Sequence, residues 1–338
     1  MKRIDQSQRL LTGGGIETYL LFIQNLELRE FCGFELYMQP EELRRAEEAF
    51  LRPTADAALE SGCDLLVDAM TWRAQTDYLR ALGYDDALLE TINQDAVRWV
   101  RGFIERWRSS NPGAQETTLF VSGDVGPRGD GYRVEGEIPI EAALAYHKRQ
   151  IDALASAGAD VIAALTMTNV NESIAIVRAA RESGLPCIVS PTVETDGRTP
   201  EGISLGSFIE RVDAATEAAP LFYMVNCAHP SHLDATLRSA KQRKEGWLDR
   251  FEGLRANASC KSHEELDNST EIDRGDPAAL ASELVGLSKE YGLRLLGGCC
   301  GTDSEHIRAI AERLCGEGAF PDQRPESRLD RSIEGRVR

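Results

Sequence analysis

The chain has 338 residues and a mass of 37.2 kDa, with 42% hydrophobic and 28% charged residues, enough to build a large core without disulfide or metal staples. Its 38 Lys+Arg against 55 Asp+Glu leave a net charge of -17, which argues against a nucleic-acid partner and against an anionic membrane surface. The longest apolar runs, such as 153–165, fall well short of the roughly 20 residues of a membrane span, and no apolar segment follows the first charged residues, so a cytoplasmic, thiol-reducing compartment is the expectation.

From end to end, short apolar runs alternate with helical periodicity. Strands are predicted near 10–13, 65–68, 119–122, 161–164, 187–190, 221–226, 254–257 and 295–298. Helices are predicted near 40–61, 85–109, 140–157, 170–183, 205–218, 231–244, 277–291 and 303–314. Eight such units match a single-domain α/β fold, the (β/α)8 TIM barrel, over 1–315, with functional groups expected at the C-terminal ends of the strands. A doubly wound sheet is the alternative, and the absence of a break in composition favours one barrel. Asp303, Ser304 and Glu305 give the last helix an acidic start that suits its positive end. The segment 316–338 is charged, holds Pro321 and Pro325, lacks periodicity and reads as a C-terminal extension.

The chemistry concentrates in three cysteines. Cys299 and Cys300 lie in Gly297-Gly298-Cys299-Cys300-Gly301-Thr302, between a predicted strand and a predicted helix. The glycines permit the sharp turn that lets two adjacent thiols face one space. Cys227 ends the apolar run of 221–226, again at the C-terminal end of a strand. Three thiolates leave one position of a tetrahedral zinc ion open, the pattern of a catalytic rather than a closed structural site. Zinc in such a set keeps a bound substrate sulfur deprotonated and nucleophilic, so a zinc-dependent thiol methyltransferase is the working expectation. Cys32, Cys63, Cys187, Cys260 and Cys315 read as small buried hydrophobes. His229 and His232 follow Cys227 and read as residues that start or line the next helix, with a ligand role as the lesser alternative. No Ser-His-Asp pattern, phosphate loop or dinucleotide fingerprint competes, and a redox role for Cys299-Cys300 is disfavoured because adjacent cysteines form a strained pair.

At these residues the chain resembles the homocysteine S-methyltransferase family, the cobalamin-independent barrel enzymes that include betaine-homocysteine and S-methylmethionine-homocysteine methyltransferases. The resemblance runs from about residue 10 to 314. It is carried by the 297–302 motif, by Val225-Asn226-Cys227, and by Gly13-Gly14-Gly15, Gly126-Pro127-Arg128-Gly129 and Ala256-Asn257-Ala258. It implies Cys227, Cys299 and Cys300 as zinc ligands, with the acceptor thiol filling the open position. The implied reaction moves a methyl group from an onium donor such as S-methylmethionine, S-adenosylmethionine or a betaine to homocysteine, giving methionine. Both substrates are then small molecules; the oligomeric state stays open.

Two departures stand out. The family has Asp-Gly at the end of the first strand, where this chain has Gly13, and an acid before Thr after the fourth, where this chain has Leu165. Those acids are expected to hold the acceptor's ammonium, which would otherwise be a desolvated cation without a partner. Glu17, Asp68 and Asp124 fall at or just beyond predicted strand ends and are the candidate replacements, although loop carboxylates also commonly serve as caps. Gly14 and Asn226 belong with them to the candidate substrate-binding set. Trp72, in the loop 68–73, is the candidate donor wall, where its ring can stack on an onium group. A different thiol or selenol acceptor, or a non-catalytic zinc- or thiol-binding barrel, is the alternative the departures leave open.

Overall fold

The structure, a computed structural model, describes residues 3–5, 7–134, 136, 138–267 and 271–315; the predicted extension 316–338 lies outside them. Eight parallel strands close into one barrel in chain order, so the barrel is correct and the doubly wound alternative is not. They are β1 (Leu10–Thr12), β2 (Asp64–Ala69), β3 (Leu119–Val125), β4 (Val161–Met167), β5 (Cys187–Pro191), β6 (Phe222–Ala228), β7 (Phe251–Ala256) and β8 (Leu295–Gly298). Pairing of Leu10 with Leu295 and of Leu11 with Leu296 closes the ring.

The strands read as near-continuous apolar runs because both of their faces are covered. Val161, Ala163 and Leu165 point into the barrel with Leu10, Leu66, Phe120, Phe222 and Met224, while Ile162 and Ala164 belong to the larger core under the helices. Burying both faces at roughly 25 cal/mol per Å² of apolar surface is the main stabilising term.

The outer helices follow the predicted order. Asn169, Ser204, Asp276 and Asp303 accept hydrogen bonds from the first-turn amides of the helices they precede, and His306 completes a reciprocal box with Asp303. The predicted helix over 40–61 is interrupted by one wider turn at Glu47–Leu51. Pro53 follows that turn, lacks an amide to donate and crowds the carbonyl four residues back, which the wider turn relieves. Short helical segments at Ile16–Phe22, Gly33–Met38 and Thr76–Ala81 were not anticipated, being too brief for periodicity to reveal. Among the described residues no helix is long and apolar enough to cross a membrane.

Two cysteine expectations need correction. Cys63, just before β2, and Cys315, at the end of the last helix, are joined as a disulfide with Cα atoms 5.7 Å apart rather than serving as separate core thiols. Cys260 is exposed, on a loop that no apolar element covers, whereas Cys32 and Cys187 are buried as expected. Burial pushes the Cys187 thiol up to about 12, consistent with an inert packing role.

Phe120 is fully buried inside the barrel, so Phe120→Ala is expected to cost about 3–5 kcal/mol. Urea unfolding measures this; a loss below about 1 kcal/mol would mean that the interior is not packed as described.

Candidate thiol and metal site

The mouth of the barrel is assembled from strand ends that are bent for the purpose. Cys227 near the end of β6 and Thr166 in β4 both have left-handed backbones, with φ of 56° and 55°. Each sits where the strand register slips, between Asn226 and Ala228 and between Ala164 and Met167. A bulge of this kind re-aims a side chain at the rim, at a cost in strain that side chains here help to hold. Asn257 donates to the Cys227 carbonyl at 3.0 Å, and His263 Nε2 lies 2.7 Å from the same oxygen. That contact fixes Nε2 as the protonated ring nitrogen.

Cys299 and Cys300 follow β8 on a loop pressed against the end of β1. A Cβ on Gly14 would stand 2.7 Å from the Thr302 carbonyl oxygen, and one on Gly298 would collide with the Thr302 side chain and approach the Gly14 Cα at 3.1 Å. Glycine is therefore required at both places. The Cys299 amide donates to the Ala256 carbonyl at 2.7 Å, and the Ala258 amide donates to the Cys300 carbonyl at 3.1 Å, so the end of β7 holds the loop from the other side.

These constraints bring the three sulfurs within 4.8 Å of one another, the one such grouping of metal-type ligands among the described residues. The Sγ atoms of Cys227 and Cys300 are 3.7 Å apart. Zinc–sulfur bonds of about 2.3 Å at tetrahedral angles put two sulfurs about 3.8 Å apart, so this spacing fits a zinc ion. Cys227 and Cys299 are in direct sulfur contact, paired as in a disulfide, so the ligand set belongs to the reduced chain. Neither His229 nor His232 belongs to the group. His229 caps the helix Pro230–Arg243 through the Ser231 amide, and His232 meets the Cys260 carbonyl, which settles the expectation in favour of their helix role.

Polar groups are aimed at the sulfurs. Asn226 accepts from the Thr166 amide at 2.8 Å and from the Ser190 hydroxyl at 2.6 Å through Oδ1, which turns its amide nitrogen toward Cys299 Sγ at 3.8 Å. The Tyr132 hydroxyl donates to Cys227 Sγ at 3.5 Å, with its ring centroid 4.3 Å from that of His263. Donors at this range stabilise thiolate over thiol.

Behind the sulfurs lies an inner chamber of about 70 Å³ lined by Gly14, Glu17, Asp68, Trp72, Asp124 and Asn226, with Leu165 and the cysteines. All six non-cysteine residues singled out from the sequence therefore meet there. The sequence reading missed Arg255, which lines the same chamber. Its guanidinium grips Asp68 with both nitrogens, at 2.6 and 3.3 Å, and its Nε reaches the Gly298 carbonyl at 3.3 Å. The available signal was a lone cation in the otherwise apolar run of β7. Burial works against that charge, but Asp68, Asp124 and Glu17 hold Arg255 more firmly protonated than usual. Burial pushes the carboxyls of Glu17 and Asp124 above the ordinary carboxylate range, and the Asp68 charge adds to both. A Cβ on Gly13 would stand 3.8 Å from Asp68 Oδ2, so Asp68 borders the space that an acid at position 13 would enter.

Beside the inner chamber, and sharing Phe31, Trp72, Tyr132 and Cys300 with it, lies an outer cavity of about 330 Å³ that is also lined by Arg73 and Asp273. Trp72 Nε1 donates to the Leu165 carbonyl at 3.2 Å, which fixes the ring between the two spaces. One side of that ring is already covered, because the Arg73 guanidinium lies 4.8 Å from its centroid. Tyr132, His263 and Arg73 carry no periodic signal, since all three stand on loops or at the edge of a short helix.

The profile of the homocysteine S-methyltransferase family matches residues 10–314. Homocysteine S-methyltransferase of Escherichia coli is 25% identical over 287 residues, 82% of this chain and 86% of the relative. Betaine–homocysteine S-methyltransferase 1 of Xenopus laevis is 25% identical over 340 residues, 95% of this chain and 76% of the relative. Among solved structures, the metallated form of the homocysteine methyltransferase MmuM from Escherichia coli superposes with a TM-score of 0.69 at 21% identity, covering 91% of this chain and 96% of that one.

The raised carboxyl of Asp124 makes stability depend on pH. The folded state holds this proton more tightly than the unfolded chain does. The stabilisation is therefore full below the unfolded value, near 3.8, and is lost as pH rises through the folded one. Asp124→Asn is expected to remove that loss, so urea midpoints of the parent should fall relative to the variant as pH is raised from 4 toward 8. Parallel profiles would contradict the assignment.

Proposed function

The chain belongs to the homocysteine S-methyltransferase family and is an S-methyltransferase, and from that premise we propose that it is zinc-dependent and makes methionine by moving a methyl group from an onium donor to homocysteine. The observation that carries the reading is the convergence of the three cysteine sulfurs within 4.8 Å of one another, with Cys227 and Cys300 at the 3.7 Å that suits two zinc ligands, on the lining of the inner space. These three residues are the proposed ligands. Zinc bound there supplies one thing, a fourth position in which the acceptor sulfur stays deprotonated near neutral pH.

The chain's own residues do the rest. Asn226 and Tyr132 point donors at the cysteine sulfurs, and the carbonyl contacts of Asn257 and His263 keep Cys227 in its strained backbone. In the inner chamber, Glu17, Asp68 and Asp124 offer carboxylates to the acceptor's ammonium, in place of the acids that Gly13 and Leu165 do not supply. Arg255 holds Asp68 in place, and a bound ammonium would favour the ionised forms of Glu17 and Asp124, whose carboxyls burial holds above the ordinary range. Trp72 and the outer cavity take the donor, whose positive charge disappears as the acceptor sulfur loses its negative one. No proton moves in the methyl transfer itself, so the rate comes from alignment and exclusion of water rather than from a general acid or base. Both substrates are small molecules, and we place the enzyme in the cytoplasm.

The reduced protein is expected to bind one zinc ion, and Cys227→Ser, Cys299→Ser and Cys300→Ser each to lose most of it, whereas Cys187→Ser keeps it. Metal analysis after gel filtration measures this; full zinc retention by any of the three would break the ligand assignment. Zinc-loaded parent protein is expected to make methionine from homocysteine and at least one of S-methylmethionine, S-adenosylmethionine and betaine. Binding of zinc without methionine from any of them would point to another thiol or selenol acceptor.

Glu17→Gln is expected to raise KM for homocysteine roughly tenfold, the usual size of one lost charge-assisted contact. KM for 4-mercaptobutyrate, which has no ammonium, should stay unchanged. An equal rise for both acceptors would remove Glu17 from the ammonium site.

A further inference from the structure

In a chain with 55 acidic residues, Arg73 stands out because it lines the outer cavity and forms no ion pair among the described residues. Arg255, a few residues deeper, is saturated by Asp68 and the Gly298 carbonyl. Arg73 has one partner, the Glu30 carbonyl, through Nη1, and its Nε is buried without any. Its guanidinium lies 4.8 Å from the Trp72 ring centroid, 4.8 Å from that of Tyr78 and 5.9 Å from that of Phe31. Three rings hold the group flat, which preorganises its planar fork while leaving its charge unneutralised.

A cavity lined by such a cation, by Phe31, Trp72 and Tyr132, and by the carboxylate of Asp273 is matched to a ligand that carries both signs of charge. We propose that Arg73 binds the carboxylate of the methyl donor and so is the residue by which this chain selects zwitterionic onium donors over onium compounds without a carboxylate. This deepens the proposed methyltransferase reading and rests on it. With its carboxylate on the Arg73 fork, the donor can rest its onium end against Tyr132 and Trp72, which with Cys300 line both spaces. Planar guanidinium–carboxylate pairing fixes orientation as well as affinity, which is what an in-line transfer requires. Arg73 touches the donor but no reacting atom, so it acts as a specificity-determining residue.

The test compares dimethylsulfonioacetate, which carries a carboxylate, with trimethylsulfonium, which does not. Calorimetric titration of each into the reduced, zinc-loaded protein without acceptor reads the donor cavity independently of turnover. The parent is expected to bind dimethylsulfonioacetate at least 10-fold more tightly than trimethylsulfonium. Arg73→Gln should weaken the first by about 10- to 100-fold and change the second by less than about 2-fold; Arg73→Lys, which keeps the charge but not the fork, should recover part of the loss. Equal weakening of both ligands, no weakening of either, or loss of homocysteine binding in place of donor binding would overturn the proposal. Failure of the methyltransferase reading looks different: donor selectivity at Arg73 would persist while no methionine forms.

Discussion

The site depends on how closely the ends of β1 and β8 approach each other. Gly14 lies against the Thr302 carbonyl, and Gly298 lies against the Thr302 side chain and the Gly14 backbone, with no room for a Cβ at either place. That contact presses the Cys299–Cys300 loop inward over the barrel mouth, where the end of β7 receives it through the Ala256 carbonyl and the Ala258 amide. The same end of β7 supplies Asn257, which holds the Cys227 carbonyl on the far side. Three thiols from two non-adjacent strands meet because one strand between them binds both partners. A side chain at Gly14 or Gly298 would displace the loop and disperse the sulfurs with no change in any sulfur-bearing residue.

The second constraint is electrostatic. Three carboxyls and one guanidinium share a small buried chamber, and leaving any of them uncompensated would cost several kcal/mol. Arg255 and Asp68 neutralise each other, while burial keeps protons on Glu17 and Asp124 beyond the usual range. A bound ammonium would favour the ionised form of both. The chamber's net acidity at full ionisation suits an amino-acid acceptor, while Arg73, farther out, suits the opposite charge. The inner space, with three carboxyls to one guanidinium, favours an ammonium, while the outer one, lined by both Arg73 and Asp273, suits a ligand with both signs of charge.

Much of this was readable in the sequence, and for physical reasons. Strands covered on both faces are short apolar runs, and helices packed on one side show a 3.6-residue period, so the barrel and its strand ends could be placed. Cys227, Cys299 and Cys300 were visible because each follows such a run. The acids Glu17, Asp68 and Asp124 were visible for the same reason, but not that Asp68 would be tied to Arg255. That pair joins residues 187 positions apart, on strands separated by β1 and β8. Tyr132, His263 and Arg73 stand outside the strands, where position depends on loop packing and not on period. The Cys63–Cys315 pairing, across 252 residues, and the exposure of Cys260 were misread for the same reason, since composition alone assigns a lone cysteine to the core.

The central claim is that three cysteine sulfurs and the acceptor sulfur together complete one metal site. X-ray absorption at the zinc edge of the reduced, zinc-loaded protein tests it most directly. The account predicts three sulfur neighbours at about 2.3 Å and one lighter atom in the absence of substrate, becoming four sulfurs when homocysteine is added. A shell with fewer than three sulfurs, or one that homocysteine leaves unchanged, would contradict it.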